Sequence, residues 1–343
     1  MNTEDERILF YGIVVFGKGE PALNLAAIAR PVDIARFSPR WLYAVFEVRD
    51  LWPESLEAVG ASRKTSLLMR VLKRVARLLY SEAAHIVVVT FPFKEHLQRY
   101  WGIPENKISV IINGVDHRLF VPQSSDDQVV KEFNLEHRFV VGYFGTIGNA
   151  HGIETLVRAA QIIEDKDPEV LFLVIGEGAD KALLQDLAVG ANLKNIQIFP
   201  GQPRFRMPRI IASSDICLVL LKDAELFKTV IPTKLLEFMS CGRAVVAAVA
   251  GEATRFLETS GGGVCVPPGN ATAIAESILS LKADQMGREQ FGTNARKFIV
   301  TSATRERTAQ EYISLLEAIL KKSARQVVEP EQLGVKSGGG RCI

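Results

Sequence analysis

The sequence predicts an α/β protein of two Rossmann-like domains, the N-terminal one incomplete. Three observations carry this expectation. The 343 residues exceed the ~250–300 at which a single hydrophobic core stops growing. Between Phe139 and Val266, apolar and β-branched runs of strand length alternate with helical stretches, the pattern of a covered parallel sheet. The same alternation recurs, less completely, in the first ~120 residues.

In chain order, Ile8–Phe16, Tyr43–Val48, Ile86–Thr90 and Ile108–Ile112 read as strands of the first domain. Leu67–Ala84 and Phe93–Trp101 read as its helices. The polar stretch Val121–Arg138, holding Ser124-Ser125-Asp126-Asp127, reads as a linker. Phe139–Phe144, Val170–Ile175, Ile196–Phe199, Ile216–Leu221, Ala244–Val249 and Gly263–Val266 are then the strands of the second domain. Most are apolar on both faces, as buried parallel strands are. Ala271–Leu281 carries Ile274, Ile278 and Leu281 on one helical face behind Asn270 as N-cap. Residues 303–321 form an amphipathic helix with Ala309, Tyr312, Ile313, Leu316 and Leu320 aligned. The expected division is 1–122, 139–302, the helix 303–321, and a disordered Gly/Ser/charged tail over 322–343.

Composition narrows the class. Lys and Arg number 41 against 39 Asp and Glu, a formal charge of +2, so no overall field recommends nucleic acid. The longest apolar run, Ile8–Phe16, falls far short of the ~20 residues of a membrane-spanning helix. Met1–Arg7 is acidic where a signal peptide carries positive charge. Cys217, Cys241, Cys265 and Cys342 form no CxxC, which fits a reducing compartment. His85, His96, His117, His137 and His151 show no HxxxH or HExxH spacing, so no metal is expected. Asp165-Lys166-Asp167 resembles a metal-binding DxD but follows a helix, and reads as exposed charge.

In open α/β sheets ligands bind beyond the carboxyl ends of the strands, so the loops there are the candidate site. Gly145-Thr146-Ile147-Gly148-Asn149-Ala150-His151-Gly152 follows the first strand of the second domain and precedes a helix. Its glycines can bring backbone N–H groups to a phosphate, or can simply make a tight turn. The spacing is neither GxGxxG nor a P-loop, which demotes NAD and Walker-type ATP binding. Gly176-Glu177-Gly178 reads as a simple turn. In Ile231–Gly242, Pro232 suits a helix start and Gly242 its end. The free N–H groups of Thr233 and Lys234 plus the lysine charge make an anion site, and Glu237 on the same face can accept from sugar hydroxyls. A plain surface Lys–Glu pair at i, i+3 has the same spacing. Glu47–Ser55 clusters charges with Trp52-Pro53 where a buried strand ends, which suits a carbohydrate or an Arg49–Asp50 structural pair.

A helix over Ser62–Tyr80 places Arg63, Arg70, Lys73, Arg74 and Arg77 within one arc of about 100°. Leu68, Leu72, Val75 and Leu79 fall opposite. The basic stripe fits an anionic membrane surface, and fits equally a solvated face above a packed one.

VFEVRDLWPES (45–55), IVVVTFPFKEHL (86–97), ISVIINGVD (108–116), VVGYFGTIGNAHGIETLVRAA (140–160), FLVIGEGADK (172–181), IPTKLLEFMSCGRAVV (231–246), GEA (251–253) and GGGVCVPPGN (261–270) follow in an order that resembles the GT-B glycosyltransferases of family 4, within them the WbuB-like branch. The resemblance implies two Rossmann-like domains facing a cleft, with residues 303–321 crossing back to the first. It implies a nucleotide-sugar held without metal, as co-substrate rather than cofactor. Gly145, Thr146 and Gly148 would lie by its diphosphate, with His151 where the family usually has lysine. Gly201 and Gln202 would border the base, Thr233 and Lys234 the phosphate, and Glu237 the ribose, as the second glutamate of an E-x7-E motif. The first glutamate of that motif falls at Thr229. Arg49-Asp50 stands where the family often has His-Asp.

The implied activity is retaining transfer of a UDP-linked hexose or N-acetylhexosamine to a lipid-linked or polysaccharide acceptor in bacterial surface polysaccharide synthesis. Lys234, His151, Arg49 and Asp50 are the candidate catalytic residues. The setting would be cytoplasmic, or peripheral on the inner face of the plasma membrane. Two alternatives stand beside it: a shortened nucleotide-sugar binder without activity, and a nucleotide-sugar 2-epimerase. Met1–Leu42 does not resemble the family's usual opening, so a chain shortened at its N-terminus is expected, with Gly17-Lys18-Gly19 as a candidate rebuilt loop.

Overall fold

The computed structural model describes residues 13–16, 43–55 and 67–328, and builds them around two separate sheets. The first holds β1 (Ile13–Phe16), β2 (Tyr43–Val48), β3 (His85–Val88) and β4 (Ile108–Val110) in that order. β1 is antiparallel to β2, and the other pairings are parallel. The second holds β5 (Phe139–Phe144), β6 (Val170–Ile175), β7 (Ile196–Phe199), β8 (Ile216–Leu220), β9 (Ala244–Ala248) and β10 (Gly263–Val266). Its order is β7-β6-β5-β8-β9-β10, parallel throughout. That is the doubly wound arrangement, in which the order of strand addition reverses between β5 and β8. The ligand crevice of such a sheet opens beyond the carboxyl ends of those two strands.

Alternation along β5 shows why the second sheet needs helices on both sides. Val140 and Phe144 enter one apolar layer, Val141 and Tyr143 the other. The first layer is closed by α6 (Met207–Ala212), α7 (Thr233–Ser240), α8 (Glu252–Ser260) and α10 (Gln285–Ser302). The second is closed by α4 (Ile153–Glu164), α5 (Lys181–Gly190) and α9 (Ala271–Ala283). Asn270 caps α9, its side chain accepting from the Ala273 N–H.

The stretch read as a linker contains a helix, α3 (Asp127–Glu132). Asp126 accepts from the Gln128 and Val129 N–H groups, and Val129, Phe133 and Leu135 join the second sheet's core. The charged residues around them hid a three-residue apolar anchor.

In the first unit, α1 (Leu67–Glu82) and α2 (Phe91–Trp101) cover one face of the sheet and α11 (Arg305–Val328) the other. α11 lays Tyr312, Leu315, Leu316 and Ile319 on Val45, Val87 and Ile111. It runs to Val328, which overturns the expectation of disorder from residue 322; residues 329–343 lie outside the described residues.

The face of α1 is also a correction. Met69, Ala76 and Tyr80 turn inward, while Leu68 is exposed with Leu67, Val71 and Leu78. Tyr80 sets this rotation: its ring meets Phe46 and Trp101, and its hydroxyl reaches the Trp52 carbonyl.

The two units meet directly. Leu226 and Val230, from the loop after β8, pack into the core under α2. Thr90, the N-cap residue of α2, leaves its helix uncapped and donates instead to the Thr229 carbonyl at 2.8 Å. Val115 and Thr304 pair as a short parallel bridge. A Cβ on Gly114 would fall 2.3 Å from the Thr304 carbonyl oxygen, so only glycine allows the two strands of chain to run this close.

Candidate functional site

The glycine-rich loop after β5 leaves the sheet at the switch point and is held from behind by the loop after β6. Gly145 N–H donates to Ile175 O and Ile147 N–H to Glu177 O. A Cβ on Gly176 would lie 1.8 Å from Gly145 O, and one on Gly178 2.2 Å from Ile147 O. The Gly176–Gly178 segment, expected to be a simple turn, is the surface against which the phosphate-loop candidate is pressed. Glu177 does more. Its carboxylate accepts from Lys181 at 2.9 Å and from the Gly201 N–H at 3.0 Å, joining the β6 and β7 loops. Gln202 is occupied at both ends, donating to Pro200 O and accepting from Arg206, which also binds Glu132.

Helix α7 brings its N-terminus to the same place. Pro232 precedes it and no side chain caps it, so its first N–H groups point out beyond the sheet with the positive end of the helix dipole. Lys234 does not extend into solvent. Its Nζ lies 4.3 Å over the Tyr143 ring and donates to the Tyr143 hydroxyl at 3.3 Å, while that hydroxyl donates to Thr146 O at 2.8 Å. Lys234 also crosses the position a Gly145 side chain would take. Burial pulls the Lys234 ammonium down to about 7, against the opposing pull of Glu237.

His151 closes the loop in a short turn over Asn149–His151. Its Nδ1 lies 3.2 Å from Gly148 O, and its ring meets Tyr143 edge-on at 6.3 Å. Burial, then the nearby Lys234 charge, lower its pKa to about 4. It is a neutral imidazole at pH 7, with one nitrogen committed to the backbone.

Glu237 sits one turn along α7, yet its partner is Arg204 at 2.8 Å rather than Lys234. Burial raises its carboxyl, and Arg204, Arg305 and Lys234 oppose that. At the position of the motif's first glutamate, Thr229 spends its carbonyl on Thr90 and its hydroxyl on Leu226 O.

Thus Gly145, Thr146, Gly148, His151, Thr233, Lys234 and Glu237 converge at the switch point, with Gly201 and Gln202 joined on through Glu177. Tyr143, Glu177 and Arg204 belong to the cluster and were missed. Tyr143 looked like one more core residue of an apolar strand; its polar end, two residues before the loop, was the available signal. Arg49 and Asp50 lie apart, at the carboxyl end of β2. Arg49 Nε donates to Glu47 at 3.1 Å, and burial lifts the Asp50 carboxyl to about 6 against the Arg49 charge. Of the basic stripe, Arg70, Arg74 and Arg77 are exposed, Lys73 is drawn to the Tyr100 hydroxyl at 3.2 Å, and Arg63 lies outside the described residues. Asp167 is ion-paired with Lys282 at 2.6 Å.

Residues 43–119 match the model of Glycosyltransferase Family 4. The chain is 24% identical over 269 residues to a Pseudomonas aeruginosa protein named probable glycosyltransferase WbjE, covering 78% of this chain and 65% of that one. It is 28% identical over 230 residues to WcaI of Escherichia coli K12, whose name places it in colanic acid biosynthesis, covering 66% and 51%. The chain therefore spans between half and two thirds of these relatives' length. Among solved structures, Anabaena Alr3699/HepE in complex with UDP and glucose superposes with a TM-score of 0.68 at 20% identity, over 80% of this chain and 71% of that one. The two-sheet GT-B fold is thereby shared. Residues 119–298, more than half of the chain and the whole switch-point cluster, match the model of Glycosyl transferases group 1, and the chain belongs to that family.

Proposed function

We propose that this chain transfers a sugar from a nucleotide-sugar to a lipid-linked or saccharide acceptor, with retention of configuration and without a metal. Lys234 carries the reading. A bare Lys–Glu surface pair would send its ammonium to Glu237, but Glu237 is taken by Arg204 and the ammonium is drawn inward over Tyr143. A half-buried ammonium held by a ring and a neutral hydroxyl rather than by a carboxylate is costly, and becomes favourable when an anion arrives. The uncapped start of α7 aims its N–H groups at the same point, as diphosphate sites require.

In the proposed step the anomeric carbon's bond to the diphosphate oxygen breaks. The acceptor oxygen bonds to that carbon on the same face, and its proton passes to the leaving diphosphate. Lys234 and the α7 dipole stabilise the departing charge. His151 adds a second donor once Nε2 is protonated, because Nδ1 already serves Gly148. Asp50, ionised above about pH 6, accepts a hydrogen bond from the acceptor hydroxyl. UDP in the HepE complexes and the colanic acid pathway in the name of WcaI support a UDP-sugar donor and a role in surface polysaccharide synthesis.

The test is proton NMR of the chain with UDP-glucose, UDP-galactose or UDP-N-acetylglucosamine and a polyprenyl-diphosphate-linked monosaccharide. A new glycoside is expected. An epimerised donor would identify a 2-epimerase instead, and untouched donor that still binds would identify a non-catalytic binder.

A further inference from the structure

β2 carries an anomaly on the face that α11 covers. Val45, Glu47 and Arg49 alternate onto one side of the strand. Val45 lies in the apolar layer beneath Tyr312, Leu315, Leu316 and Ile319. Glu47 pairs in register with Val87, another member of that layer, and its side chain is only 19% exposed. An apolar residue would pack there without the cost of a half-buried carboxylate. Two donors meet it instead: the Tyr312 hydroxyl at 2.6 Å and Arg49 Nε at 3.1 Å, both on Oε1. Burial and Glu47 push the Tyr312 phenol up, so it remains a donor across the physiological range. Arg49 is the charge that acts on Asp50.

We infer that Tyr312 and Glu47 are positioning residues for Asp50: the α11 phenol fixes the Glu47 carboxylate, which holds the Arg49 guanidinium beside the acceptor-side acid. The inference rests on the glycosyl-transfer reading of that acid and deepens it. It also gives the strap helix a chemical task beyond packing. α11 begins where Arg305 N–H bonds Val115 O. Just upstream, Arg296 of α10 donates to Ser240 O at the end of α7, to Phe120 O and to His117 O. One continuous set of contacts therefore runs from the nucleotide-side helix to Glu47.

Tyr312→Phe removes the hydroxyl and keeps the ring on Val45 and Val87. The Asp50 carboxyl is titrated by carbon-13 NMR, assigned with Asp50→Asn, in the intact chain and in this variant. Asp50 faces Arg49 from its own loop and, through Glu47, Tyr312 from α11. Loosening Arg49 removes its lowering effect, so the Asp50 titration moves to higher pH in Tyr312→Phe; Glu47→Gln frees Arg49 in the same way but also removes a negative charge, which offsets part of that rise. In transfer assays kcat falls roughly tenfold, the weight of one hydrogen bond to a carboxylate. KM for the nucleotide-sugar stays near that of the parent, and the melting temperature falls by no more than the few degrees that one lost hydrogen bond costs. The double variant is no worse than the worse single one, because the residues act as one relay. An unmoved Asp50 titration in both variants would overturn the inference. A moved titration in a chain that transfers nothing would leave the relay standing and remove only the glycosyl-transfer reading.

Discussion

Near pH 7 Lys234 is about half-charged and His151 is neutral, and this has a measurable consequence. Lys234 titrates near 7 and His151 near 4. A diphosphate favours the protonated form of both, so its binding takes up protons. As pH rises through 7 the free site loses the lysine charge, and nucleotide affinity falls. Calorimetry of UDP binding at pH 7.5 in buffers of different ionisation enthalpy reads this directly: net uptake is expected, and release contradicts the assignment. Lys234→Ala should lower turnover by roughly 10²–10³-fold, as removal of one donor to a developing oxyanion does, with a smaller effect on UDP affinity. Residue types and spacing made Lys234 and Glu237 legible. Spacing could not show that Glu237 turns to Arg204 and Lys234 to Tyr143, because both partners come from segments distant in sequence.

At the scale of elements, the strands of the second sheet were readable to within a residue, since buried parallel strands are continuous apolar runs bounded by glycine and charge. The failures have separate causes. α3 forms in a polar segment on the strength of Val129, Phe133 and Leu135, a few apolar residues that outweighed the composition around them. The rotation of α1 was set by Tyr80, an aromatic anchor that the aliphatic pattern ignored. The role of Gly176-Glu177-Gly178 was illegible because it lies in what another loop presses on. Gly176→Ala places a methyl 1.8 Å from Gly145 O. It should cost about 1–3 kcal/mol by overpacking, visible as a lower melting temperature, and weaken UDP binding by displacing the phosphate loop. A variant with parental stability and affinity would mean that the two loops are not coupled.

For the whole molecule, the outer face of α1 joins Arg70, Arg74 and Arg77 to exposed Leu67 (75%) and Leu78 (59%). Among the described residues no helix is long and apolar enough to cross a membrane. A basic and apolar face suits a lipid-borne acceptor, each charge adding about 1 kcal/mol near an anionic surface. Flotation with vesicles rich in phosphatidylglycerol should carry the chain upward at low salt, and the triple Arg70, Arg74, Arg77 to Gln variant should stay behind; equal flotation of both would remove this face from the account. In the proposed reaction the Lys234 cluster drives sugar transfer across the contact between the two units. The most direct measurement is the anomeric proton signal during turnover of UDP-glucose with a polyprenyl-diphosphate-linked monosaccharide, for the parent chain and Lys234→Ala side by side. A product glycoside with the donor's α configuration is expected, formed at least ~100-fold more slowly by the variant. A β product, or equal rates in the two proteins, would contradict it.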